Sequence, residues 1–389
     1  MTRVALFRLA SFGLIVGATV LSFLGAELYL RAGAFEPTQY YVRLPGWEII
    51  FHASPDGTPG VKDDAHIRIN ALGLRGNMPK GGSSPKILAV GGSTTEDIVL
   101  NDPETWPGRL ETELASCHPA AWVGNMGKAG SNARHHFLQL EKTLPRISRP
   151  DRVIELVGLN DMLFDTGLHT PANLPESWWE QQAFDYIPTG GSSLLDRSAV
   201  YQAVKRVVSH IGNLADGKAA LVRVVDFGAM EQSYKERWRR VGPEDWVTAP
   251  PDVSAALKEY RSVLERTVDL VQSSGSQLSF ITQPYIWKPN MNAEETLRLF
   301  AGGVGSVDEW FKNPHTKWFT TEVMASLLSA YNDVTRQVCK ERGLACIDLA
   351  AELPKSADIF YDDFHFSAAG AAAVAKIVGK TMPERCAKI

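Results

Sequence analysis

An aspartate and a histidine stand three residues apart near the C-terminus, in Asp362-Asp363-Phe364-His365. At this spacing the Asp362 carboxylate can accept a hydrogen bond from one ring nitrogen of His365, which leaves the other nitrogen to face a hydroxyl group. Imidazole has a pKa suited to taking a hydroxyl proton and returning it to a leaving group. A carboxylate partner fixes the tautomer and stabilises the imidazolium. Asp362 and His365 are therefore a candidate acid–base pair, and the spacing directs Asp363 elsewhere, to solvent or to a helix cap.

A candidate nucleophile, Ser93, lies in Gly91-Gly92-Ser93-Thr94-Thr95-Glu96, directly after the β-rich run Lys86–Val90. The glycines ease the turn and would leave the serine exposed at the end of a strand. Gly-Ser-Thr is also ordinary turn sequence, so Ser93 alone is weak evidence. A phosphate loop is excluded because the Lys-Ser/Thr ending of that motif is missing. The G-x-S-x-G elbow of α/β-hydrolases is excluded because Thr95 stands where its last glycine should be.

Two more segments that follow strands could donate hydrogen bonds to an anion. Gly130 lies in the run 125–132 after the second strand, and a glycine that begins a helix can offer its backbone N–H to an anion. Asn160, in Gly158-Leu159-Asn160-Asp161 after the third strand, can place an amide donor beside the same oxygen. Taken singly, each segment is more often a helix cap or a turn.

From Lys86 onward, short strands alternate with helices. Strands of about five residues in this pattern predict a parallel sheet covered by helices on both faces. In such sheets ligands bind beyond the carboxyl ends of the strands, which is where the candidate residues fall. The predicted strands are Lys86–Val90, Trp122–Asn125, Val153–Val157, Gln277–Thr282 and Ala345–Leu349. The predicted helices are Trp106–Ala115, Ala133–Leu144, Ala255–Ser273, Thr321–Glu341 and Ala368–Gly379.

The first residues of the chain predict a membrane segment. Arg3 and Arg8 precede an uncharged run from Leu9 to Ala26, which as a helix is about 27 Å long, close to the ~30 Å hydrocarbon core. Positive charge before the run predicts a cytoplasmic N-terminus and an exported body. We expect an uncleaved, single-pass anchor in the inner membrane with the rest of the chain in the periplasm. A signal peptide cleaved after Leu24-Gly25-Ala26 is the alternative.

Three regions are expected along the chain. Residues 1–31 form the anchor, and the polar, Pro- and Gly-rich residues 32–85 form a linker and a lead-in on the surface. Residues 86–389 form the main domain, in which stretches near 164–251 and 288–319 do not fit the alternation and predict insertions near the site.

Seven of the ten tryptophans lie between Trp178 and Trp318, in the part of the chain that contains much of both insertions. Aromatic faces suit sugar rings or acyl chains. Simple packing of the insertions against the sheet is the somewhat favoured alternative.

Charge and histidine content argue against two kinds of partner. A formal net charge of -4 gives no electrostatic reason to expect binding to nucleic acid. The pair His135-His136 has no ligand-spaced acids or cysteines beside it, so no metal site is predicted.

Four cysteines, Cys117, Cys339, Cys346 and Cys386, suit an exported protein and allow three pairings. A local bridge between Cys339 and Cys346 is geometrically reasonable and would leave Cys117 for Cys386. Four unpaired buried thiols are nearly as well supported.

The candidate segments, taken in their order along the chain, resemble the sequence blocks of a known enzyme family. Ser93 at a strand end, Gly130 at a helix start, Asn160 in a strand-end Gly-x-Asn-Asp and the late Asp362-x-x-His365 resemble the four blocks of SGNH (GDSL-like) hydrolases. The blocks lie between Lys86 and Gly379, with both insertions between blocks, and Ile69–Gly76 is similar to the lead-in of many bacterial membrane-anchored members. One position differs, because the first block often reads Gly-Asp-Ser and Gly92 here replaces the aspartate, as in many bacterial members.

The resemblance implies a three-layer α/β/α sandwich with a parallel sheet of about five strands, and a serine esterase that needs no cofactor. Ser93 would attack an ester carbonyl, His365 would accept its proton, and Asp362 would orient His365. The oxyanion would be bound by the backbone N–H groups of Ser93 and Gly130 and by the side chain of Asn160.

Four functions are compatible with this set of residues. The leading hypothesis is hydrolysis of acyl esters, acetyl among them, on an envelope or secreted glycan. An extracytoplasmic O-acyltransferase would use the same residues and hand the acyl group to a sugar hydroxyl. A lipase or phospholipase is the third hypothesis, and a non-catalytic binding module is the fourth.

Overall fold

The structure is a computed structural model that describes residues 3–33, 36, 38–61, 63–166, 174–188, 198–201, 203–204, 222–305, 313 and 315–382. The chain divides into two compact units. Unit 1 comprises Met1–Tyr40 and Tyr186–Leu221, and unit 2 comprises Tyr41–Asp185 and Val222–Ile389.

Unit 1 contains one long helix, α1 (Arg3–Gly33). Its segment Ser11–Arg31 has a mean hydropathy of 1.7 and no buried residues, so its length and composition would let it cross a membrane. A signal sequence meets the same criteria. Near the end of this segment, the Glu27 carboxylate accepts hydrogen bonds from Ser198 Oγ and the backbone N–H groups of Ala199 and Val200 at 2.8–3.0 Å.

Unit 2 is an alternation of strands and helices. Its strands are β1 (Glu48–His52), β2 (Ala65–Arg68), β3 (Lys86–Gly91), β4 (Trp122–Gly127), β5 (Arg152–Val157), β6 (Val222–Asp226), β7 (Trp246–Val247), β8 (Gln277–Thr282), β9 (Trp318–Phe319) and β10 (Ala345–Ile347). Its helices are α2 (Ser93–Glu96), α3 (Trp106–Ala115), α4 (Ala133–Thr143), α5 (Leu159–Thr166), α6 (Glu176–Ala183), α7 (Phe227–Arg239), α8 (Ser254–Ser273), α9 (Ala293–Thr296), α10 (Thr321–Arg342), α11 (Leu349–Glu352) and α12 (Ala368–Thr381).

The central sheet has five parallel strands in the order β4-β3-β5-β8-β10. Counted in chain order within this sheet, the arrangement is 2-1-3-4-5, a doubly wound order. The strand order reverses between β3 and β5, and ligands bind beyond the carboxyl ends of the strands at such a reversal. Topology alone therefore places a site after β3 and β5, where Ser93 and Asn160 follow.

Helices cover the sheet in two groups. Helix α3 packs against α12, while α4 packs against α8 and α8 against α10, and members of each group also contact the strands. The strands are buried on both faces, as β3 illustrates with Ile87, Leu88, Ala89 and Val90 at 0% exposure. The expected three-layer α/β/α sandwich is confirmed, and all five predicted strands and all five predicted helices are present with ends that shift by up to two residues.

The lead-in is more structured than the sequence indicated. Within residues 41–85, strands β1 and β2 pair antiparallel, and β1 also pairs in parallel with β6 from the first insertion. Ile49, Ile67 and Ile69 form a buried cluster in this small sheet. The expectation that residues 32–85 lie on the surface was therefore wrong for this part, because its alternating apolar residues pair with a distant strand.

Arg75 ties the lead-in to the segment that follows the candidate nucleophile. Its side chain is 3% exposed and donates to the backbone carbonyls of Glu96, Asp97 and Leu100 and to the Asp102 carboxylate. Leaving any of these buried groups unpaired would cost about 1–3 kcal/mol, so Arg75 fixes the chain after α2.

Cysteine pairing is partly defined. Cys117 is disulfide-bonded, whereas Cys339 and Cys346 are free thiols. The local bridge between Cys339 and Cys346 is therefore not formed. The alternative of four unpaired thiols is also wrong, because Cys117 is in a disulfide. Cys386 lies outside the described residues.

Candidate active site

Ser93, His365 and Asp362 form a continuous hydrogen-bonded chain. Ser93 Oγ lies 2.6 Å from His365 Nε2, and His365 Nδ1 lies 2.6 Å from Asp362 Oδ2. Ser93 begins α2 directly after β3, and the Asp362–His365 segment precedes α12. The structure thus brings these three predicted residues together at the carboxyl end of the sheet.

The position of the His365 ring is fixed on several sides. Asp362 Oδ1 accepts the backbone N–H groups of Phe364 and His365 at 2.9 and 2.7 Å. The Tyr361 ring is stacked on the imidazole at 5.6 Å, and the Phe364 ring lies at 4.7 Å. These contacts leave Nε2 directed at Ser93.

Asp362 is fully buried. Burial alone would raise the pKa of its carboxyl group, but the charge of His365, the hydrogen bonds from His365 and the charge of Lys235 lower that pKa below its usual value. The lowered pKa favours the carboxylate form of Asp362, which can stabilise an imidazolium that forms on His365.

Asn160 lies beside Ser93, in a space that only a glycine at position 92 leaves open. Its amide nitrogen donates to the Ser131 carbonyl at 2.8 Å. A β-carbon on Gly92 would stand 2.3 Å from this nitrogen and 3.2 Å from Ser131 O. An amide has two N–H groups, so the second remains to meet an anion near Ser93.

Gly130 adopts a left-handed backbone with φ +77° and is exposed. Its loop is held against the Ser93 turn, because Lys128 N–H donates to Gly91 O at 3.0 Å and Ser131 contacts Asn160. The predicted donors Gly130 and Asn160 thus border the same turn.

An ionic network that the sequence did not reveal supports the Gly130 loop. Buried Glu96 accepts the Ala129 N–H at 2.7 Å and pairs with Arg43. Arg43 and Lys128 both pair with Asp185, Lys128 at 2.9 Å. Burial lowers the pKa of Lys128, and the charge of Asp185 opposes that change. Glu96 therefore links the nucleophile helix α2 to the loop that carries Gly130.

Asp161, in helix α5, holds the start of the preceding helix α4. Both carboxylate oxygens accept the Ala133 N–H, at 3.1 and 3.2 Å. Burial raises the pKa of Asp161 to about 7, against the opposing charge of His136 and the bond from Ala133.

Helix α7, inside the first insertion, places two buried ionisable groups behind Asp362. Glu231 is 2% exposed and within hydrogen-bonding reach of Asp362, and Lys235 is 0% exposed. Lys235 Nζ donates to the carbonyls of Gly57 and Tyr361 at 2.6 and 2.8 Å. Burial and the charge of Asp362 raise the pKa of Glu231 well above its usual value, against the opposing charge of Lys235, which favours the protonated form of Glu231. Glu231 and Lys235 stand at i and i+4 of a helix, a common surface pattern, and so gave no signal in the sequence.

Asp363 was expected to point to solvent or to a cap, and this was wrong. It is 1% exposed and accepts the indole N–H of Trp287 at 2.6 Å and the backbone N–H groups of Phe300 and Ala301 at 2.7 and 3.0 Å. Burial and the charge of Asp362 raise its pKa to about 6, and these three donors oppose the shift. Asp363 therefore fastens the second insertion to the His365 segment.

The two neighbouring histidines are engaged in the core. His135 Nδ1 accepts the Asn132 N–H at 3.1 Å, and burial lowers the pKa of His135 to about 3. His136 Nδ1 lies 3.0 Å from Glu155, which is fully buried.

Another group of possible ligand atoms lies elsewhere, where Glu244, Asp245 and His315 approach one another. The Lys317 ammonium group already pairs with Asp245 there at 3.0 Å.

No family model matches the sequence, and no curated protein matches it. Among solved structures, the chain is similar to the α/β hydrolase LAE5 from the metagenome of Lake Arreo, Spain, with 13% identity, a TM-score of 0.40 and coverage of 77% of this chain and 95% of that one. It is similar to Axe2, an acetylxylan esterase from Geobacillus stearothermophilus, with 14% identity, a TM-score of 0.41 and coverage of 79% and 99%. It is also similar to a protein of the G-D-S-L family from Desulfitobacterium hafniense DCB-2, with 12% identity, a TM-score of 0.39 and coverage of 77% and 100%. Because the identities and TM-scores are low, these likenesses do not identify an activity.

Proposed function

We propose that the protein is a serine hydrolase that cleaves acyl esters, with Ser93 as nucleophile, His365 as acid–base catalyst and Asp362 as its partner. The observation that carries this proposal is the hydrogen-bonded chain from Ser93 Oγ through His365 to Asp362, at 2.6 Å on each side. This chain lies where the strand order of the sheet reverses, at the place where ligands bind in doubly wound folds.

In the first half of the reaction, His365 Nε2 takes the Ser93 proton while Ser93 Oγ attacks the ester carbonyl. Asp362 stabilises the imidazolium, and the N–H groups of Ser93, Gly130 and Asn160 receive the oxyanion. Each such donor is worth about 3–4 kcal/mol to the transition state. His365 then protonates the departing alcohol, which leaves an acyl group on Ser93.

In the second half, His365 removes a proton from water, which attacks the acyl carbonyl. The intermediate collapses as His365 returns the proton to Ser93 Oγ, and the free acid departs. Every proton is accounted for by His365, so the chain's own residues suffice for the cycle.

For the substrate, we propose an acyl ester, acetyl among the candidates, on an envelope or secreted glycan. Support comes from α1, whose segment Ser11–Arg31 suits a single-pass anchor with an exported unit 2, and from tryptophans in the insertions around the site. Recovery of the intact N-terminus from the membrane fraction, by mass spectrometry of N-terminal peptides, would support the anchor, whereas a mature N-terminus after Ala26 would replace it with a cleaved signal.

Product analysis tests the reaction. Purified protein, incubated with O-acetylated oligosaccharides in water with an unacetylated sugar acceptor present, is expected to release free acetate. Ser93→Ala is expected to lower the rate by at least about 10³-fold. Transfer of acetyl to the acceptor without acetate release would replace the hydrolase with an acyltransferase.

A further inference from the structure

A cavity of about 310 Å³ opens within unit 2, between residues of the two insertions. Trp238 and Trp246 line it from the first insertion, and Lys288 and Asn290 line it from the second. Thr321 and Glu322, in the first turn of α10, complete the wall. Small-molecule sites of about 300–1,000 Å³ typically combine aromatic surface with a few polar groups, as this cavity does.

Four tryptophans in and beside the insertions differ in burial. Trp287 and Trp318 are 1% and 0% exposed, and the Trp287 ring packs against the rings of Tyr285 and Phe364. Trp238 and Trp246 are half-buried at the cavity, with ring centroids 5.4 Å apart and planes at 67°. Indoles inclined at this angle present the face of one ring beside the edge of the other. The broad face of a pyranose chair can stack on such an indole face.

The polar groups of the cavity are suited to neutral hydroxyl groups. Among the described residues, nothing accepts from the indole N–H groups of Trp238 and Trp246 or bonds to the side chains of Asn290 and Glu322. Lys288 is already neutralised, because its ammonium group pairs with Glu295 at 2.7 Å and donates to Lys355 O. A phosphate or uronate would meet the negative Glu322 carboxylate without a free cation in the described wall. An acyl chain would strip water from these polar groups without replacing their hydrogen bonds, which is costly.

A series of packed aromatic side chains connects the wall of the cavity to His365. Leu299, in its wall, precedes Phe300, whose ring lies 5.7 Å from that of Phe364. Phe364 in turn contacts His365 at 4.7 Å. Phe300 is also fixed by Asp363, the neighbour of Asp362.

We infer that this cavity is a binding subsite for one uncharged pyranose unit of a polysaccharide, stacked on Trp238 or Trp246 with its hydroxyls bonded to Asn290 and Glu322. The inference rests on the proposed ester hydrolase and specifies its substrate class, a neutral glycan held at a distance from the reacting ester.

The test uses full-length Ser93→Ala protein, so that binding is measured without turnover. Titration calorimetry with tetramers of β-1,4-linked glucose, xylose and N-acetylglucosamine is expected to show binding of at least one tetramer. Adding Trp238→Ala or Trp246→Ala should weaken that binding by about tenfold or more. Trp178→Ala, which removes a half-buried tryptophan of helix α6, is the matched control and should leave binding unchanged.

Asn290→Gly, at an exposed position whose φ of +57° glycine tolerates, covers the case in which a tryptophan variant fails to fold, and it should also weaken binding. Binding of none of the three tetramers, or equal binding by every folded cavity variant, overturns the inference. Hydrolysis of p-nitrophenyl acetate by the unmodified protein is measured in parallel. If this ester is hydrolysed while no tetramer binds, the subsite fails alone; if it is not hydrolysed, the proposed hydrolase fails.

Discussion

A β-carbon on Gly92 would lie 2.3 Å from the amide nitrogen of Asn160. The atom in the way is the far end of a side chain, so a substituted residue 92 would displace Asn160 rather than the backbone. Gly92 and Asn160 are therefore matched, because the amide of Asn160 occupies the space that a side chain at position 92 would need.

We expect Gly92→Ala to impair turnover more than stability. Displacement of Asn160 would remove a donor from the oxyanion and lower kcat by about 10²-fold, while Tm changes little because no backbone atom has to move by much. Steady-state kinetics and thermal unfolding of the same preparation check this. A normal kcat in a folded Gly92→Ala protein would show that the size of residue 92 does not control the position of Asn160.

Asn160→Ala separates a role in catalysis from a role in capping. A donor that meets charge only in the transition state should, when removed, lower kcat by about 10²–10³-fold with a much smaller change in KM. A structural cap would instead cost about 1 kcal/mol of stability and leave kcat nearly unchanged. Normal kcat beside a lowered Tm would limit Asn160 to its bond with Ser131.

Much of this site could be predicted because its residues follow strands. The alternation of short strands and helices predicts a parallel sheet. The carboxyl ends of β3, β4 and β5 lie at one edge of that sheet, and they bring Ser93, Gly130 and Asn160 together. Asp362 and His365 are recognisable since both partners lie within one four-residue stretch.

The supporting residues could not be predicted in the same way. Glu231 and Lys235 look like an ordinary exposed pair on a helix, and only the path of the first insertion buries them behind Asp362. Likewise, the pairing of β1 with β6 joins segments about 170 residues apart, and no local pattern specifies such a contact.

Glu231→Gln tests whether the carboxyl group next to Asp362 is neutral. Burial favours the protonated form of Glu231, so the amide should leave the charge around His365 unchanged, and the acidic limb of the kcat/KM profile against pH should stay in place. If Glu231 were ionised, its replacement would remove a negative charge near His365, lower the His365 pKa and move that limb to lower pH. The pH profile of the variant therefore decides the charge of Glu231.

Asp161→Asn should alter the dependence of stability on pH. The folded pKa of about 7 exceeds the ordinary value of 3.8, so the folded state binds more protons than the unfolded state between these values. Stability of the wild type therefore falls as pH rises from about 4 to 7 on account of this group. The Asp161→Asn protein lacks this loss. Its free energy of unfolding, relative to that of the wild type, should therefore rise by as much as about 4 kcal/mol between pH 4 and pH 8.

Denaturant unfolding of both proteins at these two pH values checks the result. A difference between the proteins that is the same at pH 4 and pH 8 would show that folding does not raise the pKa of Asp161.

Covalent labelling tests whether Ser93 is a nucleophile activated by His365. Full-length protein treated with a fluorophosphonate should gain one adduct, which peptide mass spectrometry should place on Ser93. His365→Ala should slow labelling by at least about 10²-fold, because the serine loses its general base. An adduct on another residue, or equally fast labelling of Ser93 without His365, would contradict the account.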